Sequence, residues 1–553
     1  MYPKEDIMKQ LIFVCLILAL GGVLSAQNDP QWLWASGAGG SGADEATRIA
    51  LDSSGNSYVA GYFTGTADFG GTTLSSAGSM DIFVGKLDPN GIWLWAKRAG
   101  GSMADDAYGV CTDNEGNVYV TGYFKSTAQF GSMSLTSNGA EDIFVAKLDT
   151  NGNWLWAVGA GGTGFDGGTR LIPDSNGDIL VTGAYAGTAS FGTLTLTGNT
   201  GYNVFVAKLD MYAEWVWVTQ AVGSGNMYGN DISTDGGNSY IIGGLNGTLT
   251  FGATTLSSTG NWDICLAKLD GDGNWVWVKK AGGTSEDAGY AISTDSNGYS
   301  LVTGYFRGFA DFGTFHYTSV GDQDIFIARL DPSGNWLWAL PAGGTAQDYG
   351  GDVYMDNYGN CYAIGCFSLT FELGNHTYTS QGSQDIFIAR LDHEGNCLWA
   401  TSIGGNNVDV GFGIVTDSSG NYYVGGCFTS SVAFGSTWLN SAGGLDIWVG
   451  KLSSGTPVDD ELAPDLTDVS CLSDAWPNPF RVGTTATFKA NIAERETGTL
   501  TLFNLRGQIV QSHQLTSGAH QISVDGNGLP AGIYLYQLKT QTVSAVKKLV
   551  LLK

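Results

Sequence analysis

Charged side chains are scarce in this chain of 553 residues: Asp, Glu, Lys and Arg together make up 14%. Those present are lopsided, 25 basic against 52 acidic, for a formal net charge of −27. That balance argues against nucleic acid or an anionic membrane surface as partner. Histidine is scarcer still. His316, His376, His393, His513 and His520 are scattered, without metal-ligand spacing and without an H-E-x-x-H run, so no metallohydrolase is spelled out. No G-x-S-x-G nucleophile elbow and no phosphate-binding loop stands out either. Beyond the first 20 residues no apolar run approaches the ~20 residues of a membrane span. Cysteine is sparse and irregular. Outside the N-terminal apolar run there are Cys111, Cys265, Cys361, Cys366, Cys397, Cys427 and Cys471. An odd number at irregular places is no disulfide framework, although Cys366 and Cys427 hold equivalent positions in adjacent repeats.

What the chain does have is glycine, 83 residues, set in a long repeat. One column reads Asp81, Asp142, Asn203, Asp263, Asp324, Asp385 and Asp446; another reads Trp34, Trp95, Trp156, Trp217, Trp277, Trp338 and Trp399. Both step by 61 residues except once, where each steps by 60. The missing residue falls in the turn Asp235, Gly236, Gly237, Asn238, one shorter than the D-x-x-G-N of other repeats. Turns accept such length changes most easily.

Within a unit the apolar pattern has period two between Gly, Asn and Asp clusters, which predicts strands joined by tight turns. In the second unit the strands fall near residues 108–112, 118–124, 142–148 and 154–158, with a small extra hairpin within 125–141. Four antiparallel strands per unit predict a propeller blade. The order of the columns predicts how the ring closes. The chain begins with a fourth strand at residues 32–35 and ends the repeats with a third strand at 446–452, so pairing these two completes a last blade. The expectation is a seven-bladed β-propeller over residues 27–453. Small residues at Gly85, Ala146, Ala207, Ala267, Ala328, Ala389 and Gly450 leave room for the tryptophans, and the column of Phe69, Phe130, Phe191, Phe251, Phe312, Leu373 and Phe434 anchors the extra hairpin. Gly-rich stretches such as 159–164 read as turns between blades.

The two ends of the chain read differently. Lys4 and Lys9, an apolar run at 11–20 and small residues before Gln27 have the parts of a secretory signal over residues 1–26, with cleavage between Ala26 and Gln27. Residues 454–474 form a polar, acidic linker. From 475 to 553 a different series of short strands with Gly and Pro turns predicts a small Ig-like sandwich.

Two resemblances attach to these motifs. The unit GNVYVTGYF, GSMSLTSNGAEDIFVAKLD, GNWLWAVGAGG resembles the bacterial beta-propeller repeat family called SBBP. That family is defined by architecture, occurs mostly in exported or surface proteins and has no common catalytic residues to carry over. The terminal segment is similar to the type IX secretion sorting domain, through WPNPF (476–480), LFNLRGQ (502–508), LPAGIY (529–534) and the closing KKLVLLK (547–553). WPNPF departs from the commoner Tyr-Pro-Asn-Pro by one aromatic. This resemblance implies the type IX machinery as a partner and a destination on the outer surface or in the medium.

One carboxylate column bears on function. Asp44, Asp105, Asp166, Asp287, Asp348 and Asp409 follow the A-G-G turn in six repeats, with Met227 in the seventh. A ring of carboxylates at one face would collect Ca²⁺ or a cationic ligand; used in nearly every repeat, the same residues also suit a turn cap accepting backbone N–H bonds. No other cofactor is called for. The expected function is a non-enzymatic exported propeller acting as a binding or adhesion module for a glycan or a protein. The alternative is a secreted polysaccharide hydrolase or lyase, whose carboxylates need follow no motif. Asymmetry discriminates the two, and Arg307, His316, Glu372, His376 and Met227 are the first departures from the repeat to inspect.

Overall fold

The computed structural model describes residues 30–356, 359–454, 471–472, 480–482, 485–492, 496–527, 529–540 and 544–552. The signal segment with Ala26 and Gln27, most of the linker and the start of WPNPF lie outside them. The chain divides into two compact units, Met1–Thr456 and Pro457–Lys553.

The first unit is built of repeated antiparallel sheets. In the second repeat the strands are Asp106–Thr112, Val118–Phe130, Met133–Leu148 and Trp154–Gly162, each paired with the next. The expected small hairpin is there, with Gln129 opposite Ser134 as a continuation of the second and third strands. In the first repeat it is a separate pair, Thr66–Phe69 with Thr72–Ser75.

The fourth strand corrects the sequence reading. It runs on to Gly162, so the first four residues of the stretch read as a turn are strand. Gly161 and Gly162 pair with Ser190 and Ala189 in the hairpin of the following repeat. The backbones approach so closely that a Cβ on Gly162 would sit 1.8 Å from the Thr188 carbonyl oxygen. Glycine is therefore required by contact between repeats.

First strands of successive repeats, Glu45–Leu51, Asp106–Thr112, Asp166–Pro173, Asn226–Thr234, Ala288–Thr294, Tyr349–Met355 and Asp409–Thr416, each touch the next, and the last touches the first. The circle closes where the sequence placed it. Trp32–Gly40 pairs antiparallel with Asp446–Leu452, Ala35 opposite Gly450 and Gly37 opposite Trp448. Trp32 adds an edge-on contact with Phe434 at 5.0 Å, and one buried cluster joins Ala46 and Val59 to Tyr423 and Val449.

One end of most repeats is held by the same parts. Asp113 accepts backbone N–H bonds from Glu115 and Asn117, with Gly116 at φ 81° closing the turn. Lys147 lies 3.5 Å from that carboxylate and 4.7 Å from the centre of the Tyr119 ring, whose hydroxyl also donates to Asp113. Asp52, Tyr58 and Lys86 repeat the arrangement; Lys451 likewise lies against Asp417 and over the Tyr423 ring, whose hydroxyl donates instead to the Gly55 carbonyl. Tryptophans tie each repeat to the next: Trp34 donates to the Pro89 carbonyl at 2.9 Å and Trp338 to that of His393 at 2.9 Å. The small-residue column does leave room, since a Cβ on Gly85 would meet the Trp93 ring at 2.5 Å.

The second unit holds two sheets, one of three strands and one of five, with a common buried cluster that includes Phe488, Leu500, Tyr536 and Leu549.

Candidate functional site

The six carboxylates singled out in the sequence are wholly buried. Asp44 accepts from the Gly40 and Thr64 backbone N–H groups at 2.7 and 3.0 Å, and Asp348 from Gly344 and Ser368 at 2.8 and 2.9 Å. Asp105, Asp166 and Asp287 do the same, and Asp409 keeps the bond from Gly405. Burial raises Asp44, Asp105, Asp166, Asp287 and Asp409 to about 6 and Asp348 to about 7, against the pull of these bonds. Chemically they cap the loops that join one repeat to the next; turned inward, they offer no ring of free oxygens to Ca²⁺. Among the described residues no three of His, Cys, Asp and Glu gather as a metal site. Met227, which replaces the aspartate once, is also buried.

The first strands carry a second, non-repeating column: Arg48, Gly109, Arg170, Asp231, Ala291, Asp352 and Gly413. Each sits at a bulge where the register with the second strand slips. Arg48 reaches from the first repeat to Asp231 at 3.2 Å and Asp352 at 2.9 Å, and Arg170 reaches Asp231 at 3.3 Å. Burial lowers Arg170 to about 9 and raises Asp352 to about 6. The four side chains span the centre of the circle of first strands.

Beside the capping aspartates lies the irregular part. The residue after each cap reads Glu45, Asp106, Gly167, Tyr228, Ala288, Tyr349 and Val410, and its partner on the second strand reads Tyr62, Tyr123, Ala184, Gly244, Tyr305, Cys366 and Cys427. The residue before the Asp81 column varies as freely: Met80, Glu141, Tyr202, Trp262, Gln323, Gln384 and Leu445. These positions form the mouth at the end where the extra hairpins arise.

Aromatic rings dominate one side of that mouth. Tyr108, Tyr123, Phe165, Tyr202, Tyr228 and Trp262 follow one another across three repeats, successive centroids 5.7, 6.3, 5.8, 4.4 and 5.0 Å apart. Most are half-buried; Tyr202 is 38% exposed. Across the mouth Tyr305 lies between Tyr290 and Tyr349. Carboxylates stand among the rings: the Tyr62 hydroxyl donates to Glu45 at 3.0 Å and the Tyr305 hydroxyl to Glu286 at 3.0 Å. Burial raises Glu45, and it pushes Asp106 well above the usual carboxylate range, with Glu45 adding like charge. The cations nearby are engaged, Lys125 with Glu141 at 2.9 Å and Arg307 with Asp322 at 2.7 Å.

Comparison with known proteins accounts for both units. Residues 34–69 and 94–123 match the SBBP beta-propeller repeat family, and residues 474–552 match the secretion system C-terminal sorting domain. The chain carries propeller repeats and a type IX sorting domain. It is exported to the outer surface or the medium, and its sorting domain implies an interaction with the type IX secretion machinery. Among the described residues no helix is long and apolar enough to cross a membrane. The chain is 23% identical over 505 residues to the uncharacterized WD repeat-containing protein L264 of Acanthamoeba polyphaga mimivirus, covering 73% of this chain and 36% of that one. It is 25% identical over 280 residues to the regulatory protein FlaEY of Caulobacter vibrioides, covering 46% of this chain and 28% of the relative. The exported propeller thus spans about a third of the length of these curated relatives. Among solved structures, a fungal alcohol oxidase in complex with copper aligns with 95% of this chain and 100% of its own at a TM-score of 0.39 and 13% identity.

The departures first named in the sequence do not converge. His316 and His376 lie on the extra hairpins, against Asp311 and Tyr378, with Glu372 on the strand paired to His376. The residues that do converge were missed because single departures were sought. Aligned in register, the column directly after the capping aspartates holds six different residues in seven repeats, and that was the available signal.

Proposed function

We propose that residues 27–453 form a seven-bladed propeller, that residues 475–553 form an Ig-like sandwich serving as its address, and that the protein is a non-enzymatic surface or secreted binding module. Its ligand, a glycan or a protein, docks at the aromatic mouth. The observation that carries this reading is the joint variation of three neighbouring columns at the mouth, directly beside caps that recur in six repeats. A fold assembled from near-identical units has no packing reason to vary one set of positions, whereas a ligand without sevenfold symmetry gives one. Aromatic rings suit such a site because they offer large rigid area at low entropic cost. The test is a glycan and peptide array probed with the full chain, run beside turnover assays on polysaccharides. Specific capture lost on substitution of Tyr202, without turnover, supports the binding module. Cleavage of a glycan favours the hydrolase or lyase alternative.

A further inference from the structure

Many buried carboxylates of the repeat unit face a cation. In five of the turns between first and second strands the partner is a lysine: Asp174 lies 2.7 Å from Lys208, and Asp417 lies 3.1 Å from Lys451. Asp231 and Asp352 at the hub face Arg48 and Arg170. The cap aspartates are held by backbone N–H groups, which do part of a cation's work. Among the described residues Glu45 and Asp106 are held without a cation: Glu45 accepts from the Tyr62 hydroxyl, and Asp106 from the Ala107 N–H and the Tyr108 hydroxyl. They hold equivalent positions in adjacent repeats, near enough to act on each other's charge. Asp106 is 4% exposed, and its Oδ1 has no hydrogen-bond partner. Around the pair stand Tyr62, Tyr108 and Tyr123.

Desolvated carboxylates without a counter-charge are costly and persist where something else repays the cost. Tyrosine faces beside such a pair attract a cation through the ring quadrupole. A metal ion fits poorly, because Ca²⁺ takes about six to eight oxygens, and among the described residues no third His, Cys, Asp or Glu gathers with this pair. We infer that Glu45 and Asp106 together receive one organic ammonium group carried by the ligand of the mouth. Such a group occurs on an amino sugar and on a lysine side chain; it enters between the first two repeats with its nitrogen on the carboxylates and its carbon chain against the tyrosines. This rests on the reading of the mouth as a ligand site and names the chemistry it selects.

The experiment uses the full chain and two matched pairs of probes: a glucosamine tetramer against the N-acetylglucosamine tetramer, and a lysine-containing peptide against its acetyl-lysine form. Calorimetry should give at least tenfold tighter binding for the amine-bearing member of one pair, which also identifies the source of the ammonium. Asp106→Asn should remove that preference by weakening the amine-bearing member at least tenfold relative to its acetylated partner. Glu45→Gln, at the less buried partner, should reduce the preference as well and serves if Asp106→Asn does not fold. Equal binding of amine and acetylated probes, or a preference that survives both variants, overturns the inference while leaving the mouth as a ligand site. Absence of binding by all four probes overturns it too.

Discussion

The two ends of the repeat unit obey opposite rules. At the turn end Asp and Trp recur, with Lys or Arg and in most repeats Tyr beside them, and each indole that bonds a turn does so in the neighbouring repeat. At the hairpin end the caps recur, while the residues directly beside them change from Glu45 to Gly167 to Tyr349. The backbone is the same at both ends, so the difference does not come from the fold. Constancy marks where repeats must recognise one another; variation marks where they need not. The hub lies between these regimes. There the cation–carboxylate chemistry of the turn end reappears once, asymmetrically, as Arg48 and Arg170 with Asp231 and Asp352, linking repeats far apart in sequence.

The sharpest way to break the comparison is to remove a side chain from the constant end. Trp338 is 8% exposed and its indole N–H bonds to the His393 carbonyl in the next repeat. Trp338→Ala should destabilise the protein by about 3 to 5 kcal/mol, the usual cost of truncating a buried large aromatic. Urea denaturation measures this. An unchanged midpoint would mean that the indole column is not a packing element and that constancy at this end has another cause.

A smaller, graded effect should appear with pH, because the two ends titrate in opposite senses. The caps of the hairpin end are raised to about 6, and Asp348 to about 7, so the folded chain holds protons there that the unfolded chain has released. Stability from these groups is complete below the unfolded carboxylate range, about pH 4, and is lost as pH climbs through about 6 to 7. Turn carboxylates act the other way. Asp113 and Asp417, though buried in part, are held below their usual range by hydrogen bonds from Asn117 and Asn421 and by Lys147 and Lys451. Their contribution is present above about pH 4 and is lost as pH falls below it. The melting temperature should therefore be highest near pH 4, fall as pH rises to about 7, and level off above that. Calorimetry at constant ionic strength checks it; a melting temperature that climbs steadily from pH 5 to 8 contradicts the assignment of raised caps.

Much of this was legible in the chain itself, for a physical reason. Repetition averages out the ambiguity of any one strand, so the Asp and Trp columns disclosed strand order, the deletion and the pairing that closes the circle. The end of the fourth strand was not legible. A-G-G looks like a turn until one knows that a second backbone approaches Gly162 too closely for any side chain. The site was missed for the converse reason. A search tuned to repeating columns treats Glu45, Asp106 and Tyr228 as noise, and only the register of first against second strands places Glu45 opposite Tyr62, Asp106 opposite Tyr123 and Tyr228 opposite Gly244.

The smallest effect on stability should come from the variable end, and there the comparison is tested most directly. Tyr202 precedes the Asn203 slot in a column that also holds Met80, Trp262 and Leu445, so the repeat has no fixed need of an aromatic there. It touches Phe165 at 5.8 Å and Tyr228 at 4.4 Å, ring contacts worth about 0.5 to 1.5 kcal/mol each beyond their buried area. Because Tyr202 is 38% exposed, Tyr202→Ala should cost about 1 to 2 kcal/mol, below the loss at Trp338. Binding to whatever ligand the arrays identify should nevertheless fall at least tenfold, because the substitution interrupts the run of rings at its middle. Equal stability losses at Tyr202 and Trp338, or intact binding after Tyr202→Ala, would mean that the irregular mouth is packing that has drifted and that the ligand site lies elsewhere.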